Sequence, residues 1–177
     1  MQNYDILRNL LTQSVEPREF LRYCFGIDKL NSEAILSEEI RFGYSTKCIN
    51  LVSKLLGMQK KTVREWGDNP NFEGMPQHAR MTCSYASVAL SSEALKRIAI
   101  EKYAAPKITA TQFINEMLLN GLSHSERLRE VSSTKFRGQY LTLLSETLKI
   151  SKRTIYLWGT DIELPKMPKY HQHTLAY

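Results

Sequence analysis

The chain has 177 residues, 42% of them hydrophobic, with 24 Lys/Arg against 18 Asp/Glu, a net charge of +6 and a pI near 9.2. That length suits one compact domain or two small ones, and the apolar share supports a real core, which excludes a disordered tail. The basic balance permits an anionic partner without naming one, and the excess is concentrated late, since residues 1–88 hold 11 Lys/Arg to 10 Asp/Glu and residues 89–177 hold 13 to 8.

In chain order, apolar residues recur at three- and four-residue spacing, the mark of helices with one buried face. The first such segment is YDILRNLLTQ (4–13), with Ile6, Leu7, Leu10 and Leu11 on one side. EPREFLRYCFG (16–26) follows, opened by Glu16-Pro17, then SEAILSEEIRFG (32–43) with Ser32 as its start signal. TKCINLVSKLLG (46–57) and KKTVREWG (60–67) complete this series. A second series runs SEALKRIAIEKY (92–103), TATQFINEMLLNG (109–121) opened by Thr109, SERLREVSS (125–133), GQYLTLLSETLK (138–149) and KRTIYLWG (152–159). Alternating β patterns are scarce, so the expected class is all-α, with a short extended arm after each Trp-Gly.

Cys24, Cys48 and Cys83 are odd in number, far apart and without a C-x-x-C pair, which points to reduced thiols in a cytoplasmic protein rather than a disulfide scaffold or zinc finger. No apolar run reaches the roughly 18 residues of a membrane span, and the start, MQNYDILRNLLTQ, lacks the basic stretch and cleavage site of a secretory leader. The expectation is a soluble chain with no membrane partner. No P-loop, G-x-S-x-G, H-E-x-x-H or clustered Asp/Glu set occurs, so an enzyme is not expected, nor a cofactor or a metal. His171 and His173 form only a lone H-x-H, of the kind that usually lies in solvent.

A repeat organises the chain. Laying 51–85 over 143–177 without a gap gives eleven identities in thirty-five: Leu51/Leu143, Ser53/Ser145, Leu56/Leu148, Lys60/Lys152, Thr62/Thr154, Trp66/Trp158, Gly67/Gly159, Met75/Met167, Pro76/Pro168, Thr82/Thr174 and Tyr85/Tyr177. Ordinary residue frequencies would give roughly two. The offset of ninety-two is too long for a solenoid and suits a duplicated small domain, with units of about 1–85 and 86–177.

Within each unit one stretch carries a definite plan. In INLVSKLLGMQKKTVREWG (49–67), Ile49, Val52, Leu55 and Leu56 provide a bracing helix, Gly57 a turn, and Met58 an apolar plug. A second helix then turns Val63 and Trp66 inward and Gln59, Lys60, Lys61 and Arg64 outward. In LTLLSETLKISKRTIYLWG (141–159) the braces are Leu141, Leu144 and Leu148, the plug Ile150 and the cap Ser151, with Ile155 and Trp158 inward and Ser151, Lys152, Arg153 and Tyr156 outward. Lys149 takes the glycine's place in the turn. The outward residues supply donors for phosphates and base edges.

These two stretches resemble the helix-turn-helix of bacterial DNA-binding regulators, over about seventeen residues each (LVSKLLGMQKKTVREWG and LLSETLKISKRTIYLWG). The resemblance implies that the cap and the residues just after it meet DNA, that the Thr often touches a phosphate, and that the position between the buried aliphatic and the Trp reaches bases. Carried over, these are Gln59, Lys60, Thr62 and Arg64, and Ser151, Lys152, Thr154 and Tyr156, with Lys61 and Arg153 on phosphates. The expectation is a sequence-specific double-stranded DNA binder built as a tandem pseudo-dimer, reading two unlike half-sites about one helical turn or a multiple apart. A transcription regulator or a replication or mobile-element factor fits that behaviour. The alternative is a helical adaptor that grips a protein or structured RNA, and the oligomeric state stays open. In the segments after Trp-Gly, His78, Arg80, Lys169 and Tyr170 are candidates for an arm on phosphate, against a structural role for the same arm.

Overall fold

The computed structural model describes residues 15–100 and 103–177; the segment 4–13 lies outside them. All the described regular structure is helical, in eleven helices and no strand. Two compact units result, 15–106 together with Tyr177, and 107–176.

The first unit contains α1 (Pro17–Phe25), α2 (Ser32–Ile40), α3 (Tyr44–Leu56), α4 (Lys60–Arg64), α5 (Gln77–Ala89) and α6 (Ser92–Ala99). Pro17 opens α1 at its first helical position and Gly26 closes it in the left-handed region at φ 69°. The α2 cap is Asn31, whose side chain accepts from Ala34 N at 2.8 Å, one residue before the expected Ser32. The core lies around α3, where Leu51, Val52, Leu55 and Leu56 are all buried against Phe20, Leu21 and Cys24 of α1 and Leu95 and Ile98 of α6. Cys24, Cys48 and Cys83 are all free and buried in this one core, and burial pushes the Cys48 and Cys83 thiols up to about 12. Neutral thiols of this kind pack as small apolar groups.

The second unit contains α7 (Ala110–Leu118), α8 (His124–Val131), α9 (Phe136–Leu148), α10 (Lys152–Tyr156) and α11 (Lys169–Thr174). Thr109 and Gln112 form a capping box on α7, as Ser123 and Glu126 do on α8. Its core joins Phe113 and Ile114 of α7, Tyr140, Leu143, Leu144 and Leu148 of α9, and Ile155, Trp158, Leu164 and Met167.

The expected boundary after residue 85 is displaced: the units divide between 106 and 107. The reason is packing. Helix α5 runs straight through the expected boundary, and α6, whose segment SEALKRIA opens the second series by sequence, buries Leu95 and Ile98 on α1 and α3. Lys54 of α3 adds to this by donating to the terminal carbonyls of α6, Ile98 O and Ala99 O, at 3.1 Å each.

The expected extended arms are also corrected. After Trp66 the chain makes a closed loop in which Gly74 N donates back to Trp66 O at 2.9 Å, and Pro76 then caps α5. After Trp158 the same loop forms, Lys166 N donating to Trp158 O at 2.9 Å, and Pro168 caps α11. Proline had suggested an arm, but a proline at a helix start has no N–H to leave unsatisfied.

Candidate nucleic-acid interface

The register of the two signature stretches agrees residue by residue. Helices α3 and α9 span 44–56 and 136–148, and α4 and α10 span 60–64 and 152–156, each pair separated by the ninety-two residues of the sequence repeat. Between the long helix and the short one sits a single left-handed residue, Gly57 at φ 59° and Lys149 at φ 54°. Beyond each Trp a second, non-glycine left-handed residue is buried in the loop, Phe72 at φ 42° and Leu164 at φ 45°. These strained conformations persist because the buried side chains over-determine them.

At the turn, Gly57 N donates to Lys54 O and Met58 N to Ser53 O at 2.9 Å, the paired bonds of a Schellman closure. A further bond, absent from the sequence reading, locks it: Ser53 Oγ donates to Met58 O at 2.6 Å, and Ser145 Oγ donates to Ile150 O at 2.6 Å. The signal was in plain view, since Ser53/Ser145 is one of the eleven identities. Ser145 and Ser53 therefore serve the turn from inside and do not face a ligand.

The short helices are fixed from beneath. Val63 and Ile155 are fully buried, Trp158 is 7% exposed and Trp66 is half-buried against its core. Met58 and Ile150 pack on their clusters as plugs. Ser151 caps α10 by accepting from Thr154 N at 3.1 Å, and its hydroxyl also pairs with Thr154 Oγ1 at 2.9 Å. Gln59 occupies the corresponding position on α4 and makes no side-chain cap bond.

On the outer side, Gln59, Lys60, Lys61 and Arg64 are exposed, and Thr62 is half-buried. On α10, Ser151, Lys152, Arg153, Thr154 and Tyr156 are all exposed. Among the described residues Lys60, Lys61, Arg64 and Arg153 enter no ion pair, so their charges remain uncompensated. Each unit thus gathers its own candidates on one short helix. Two of the α10 side chains are held from α9: Lys152 Nζ donates to Thr142 Oγ1 at 2.6 Å, and the Arg137 guanidinium stacks 4.1 Å over the Tyr156 ring. Neither Arg137 nor Thr142 was singled out in the sequence, because their positions on the first unit carry Ser45 and Asn50.

The remaining candidates sit elsewhere. Arg80 is committed to the framework: its Nε donates to Met75 O at 3.2 Å, and its Nη1 pairs with Glu16 at 3.3 Å. His171 is not in solvent; it is 2% exposed and its ring lies 4.9 Å from that of Trp158. His78 and Tyr170 are half-buried, burial lowering the one pKa and raising the other, and Lys169 is exposed. Among the described residues no cluster of three or more His, Cys, Asp or Glu is placed to hold a metal, and no helix is long and apolar enough to cross a membrane. No known family model, curated protein or solved structure matches the chain.

Proposed function

We propose that each unit carries a helix-turn-helix, α3–α4 and α9–α10, that the two arose as a tandem duplication, and that together they bind double-stranded DNA in a sequence-specific way. The observation that carries this reading is the outer side of the short helices. In both units a one-turn helix is anchored by a buried aliphatic and a Trp while its basic side chains stay exposed. A structural helix pair needs only the anchors, and its exposed cations are simply solvated. A groove-reading helix needs both.

In this reading Lys60, Lys61, Lys152 and Arg153 neutralise phosphates, and Thr62 and Thr154 lie near the backbone. Arg64 and Tyr156 reach base edges, Arg64 suiting the two acceptors of guanine. Linking two readers in one chain raises the local concentration of the second once the first has docked. Transcription control or a replication or mobile-element role would follow from where such sites lie.

A mobility-shift titration with duplexes selected from a random pool tests this. Affinity should fall by about tenfold or more between 50 and 200 mM salt, and Arg64→Ala should cost about tenfold on the selected site. Salt-insensitive or absent binding by a folded protein defeats the proposal. A second reading, a helical adaptor for a protein or structured RNA, has one observation in its favour. Helices α2 and α8 bury no apolar residue, and Leu36, Ile40, Leu128 and Val131 stand 54%, 83%, 58% and 44% exposed.

A further inference from the structure

The outer arcs of the two short helices match in their first two positions and part company in the last two. Along α4 and its C-cap the arc reads Lys60, Lys61, Arg64, Glu65, and along α10 and its C-cap it reads Lys152, Arg153, Tyr156, Leu157, every one of them exposed. Residues at these spacings cover an arc of about 140° on a helix, opposite the inward pair Ile155 and Trp158. Leu157 is 70% exposed and Tyr156 is 51% exposed, so half of the α10 arc is apolar. One-turn spacing puts Arg153 beside Leu157 and Lys152 beside Tyr156.

The stack of Arg137 on Tyr156 covers one face of that ring and restrains its direction, leaving Leu157 as the freely projecting group. A basic edge calls for an anionic partner. An apolar edge directly behind it calls for an apolar feature within that partner's reach. On the floor of the major groove the group that meets this description is the 5-methyl of thymine; the rest of the floor presents donors and acceptors.

We propose that the second unit reads thymine methyl groups through Leu157, with Arg137 as a positioning residue that holds Tyr156 beside it. The first unit lacks the means. Its corresponding positions are Arg64 and Glu65, a donor pair for guanine and a carboxylate suited to the cytosine amino group. The two half-sites would then differ in kind, one chosen by hydrogen bonds and one by methyl contact. This inference rests on the duplex-binding reading above.

The experiment uses the full chain and the duplex it selects, with thymine replaced one position at a time by deoxyuridine. That exchange removes the methyl and leaves the hydrogen-bonding edge intact. Wild-type protein should lose about three- to tenfold in affinity at one or two positions in one half-site, the worth of burying about one methyl group. Leu157→Ala should bind with a similar loss and be indifferent to uracil at those positions, whereas Arg64→Ala should bind less tightly and keep the uracil penalty. Arg137→Met should shrink the penalty at a cost of no more than a few degrees in the unfolding midpoint, about what loss of one stacked cation predicts. If uracil costs wild-type protein nothing anywhere, or Leu157→Ala still pays the full penalty, methyl reading is wrong although duplex binding stands. If no duplex is bound in a salt-dependent way, the parent reading fails first.

Discussion

The two units answer the same problem of fastening a short helix with different reserves. In the first, α2 is clasped by ions: the Glu39 carboxylate, with 4% of its side chain exposed, takes bonds from Arg18 and from Arg22 Nε at 2.7 Å. In the second, position 131 is Val, 44% exposed, and α8 depends on its Ser123–Glu126 capping box. The turn is likewise carried by glycine in one and by a left-handed lysine in the other. What stays constant is the layer beneath the short helix, and what varies is everything that layer does not need.

The comparison breaks most readily at its shared core. Leu56 and Leu148 are the same residue at the same register, 1% and 0% exposed. Leu56→Ala and Leu148→Ala should each cost about 2–5 kcal/mol in urea unfolding of the full chain. A loss below about 1 kcal/mol in only one of them would mean that the units are not equivalently packed.

Next comes the clasp at Glu39, which has no counterpart at the matching Val131. Hydrogen bonding from Arg18 and then Arg22 holds the Glu39 pKa down at about 2, against the pull of burial. A depressed carboxylate stabilises the fold above its ordinary pKa and ceases to do so as pH falls through its folded value. The contribution should therefore drain away between about pH 4.5 and pH 2. Glu39→Gln should remove about 1–2 kcal/mol at neutral pH, part of the paired charge being solvent-screened at Arg18, and should flatten the acid limb of the stability profile. Urea midpoints across that pH range would measure it.

Smaller effects sharpen the turn. Ser53→Ala and Ser145→Ala each delete a 2.6 Å bond to the plug carbonyl and should cost about 1 kcal/mol apiece, read as a drop in melting temperature. Lys149→Gly should stabilise by about 0.5–1 kcal/mol, because glycine tolerates the 54° φ that lysine resists, whereas Gly57→Ala should destabilise by a similar amount. Equal responses at 57 and 149 would contradict the description of the two turns.

Much of this was legible beforehand. Helical periodicity gave the class, and Pro17, Thr109 and Ser151 marked true helix starts. The inward and outward sides of α4 and α10 followed from one-turn spacing. Three things did not follow. Helix α5 was hidden because QHARMTCSYASVA mixes polar and apolar residues without a clear stripe, its burial coming instead from small residues such as Ala79, Ser84 and Ala86. The closed loops depend on a tertiary fit, seen at Gly159, where an added Cβ would meet Pro165 Cδ at 2.8 Å. The grip of Arg137 on Tyr156 joins residues nineteen apart that no local pattern links.

Bracketing each short helix between a left-handed turn and a loop that returns to the Trp carbonyl makes it behave like a keycap on a fixed stem. Its printed surface can be exchanged while the stem stays seated. Transplanting the 153, 156 and 157 side chains of α10 onto 61, 64 and 65 of α4 should therefore leave the fold intact and, under the proposed duplex reading, give two copies of one preference. Chains of this design can change the chemistry of an exposed surface through a handful of substitutions, with no renegotiation of the interior.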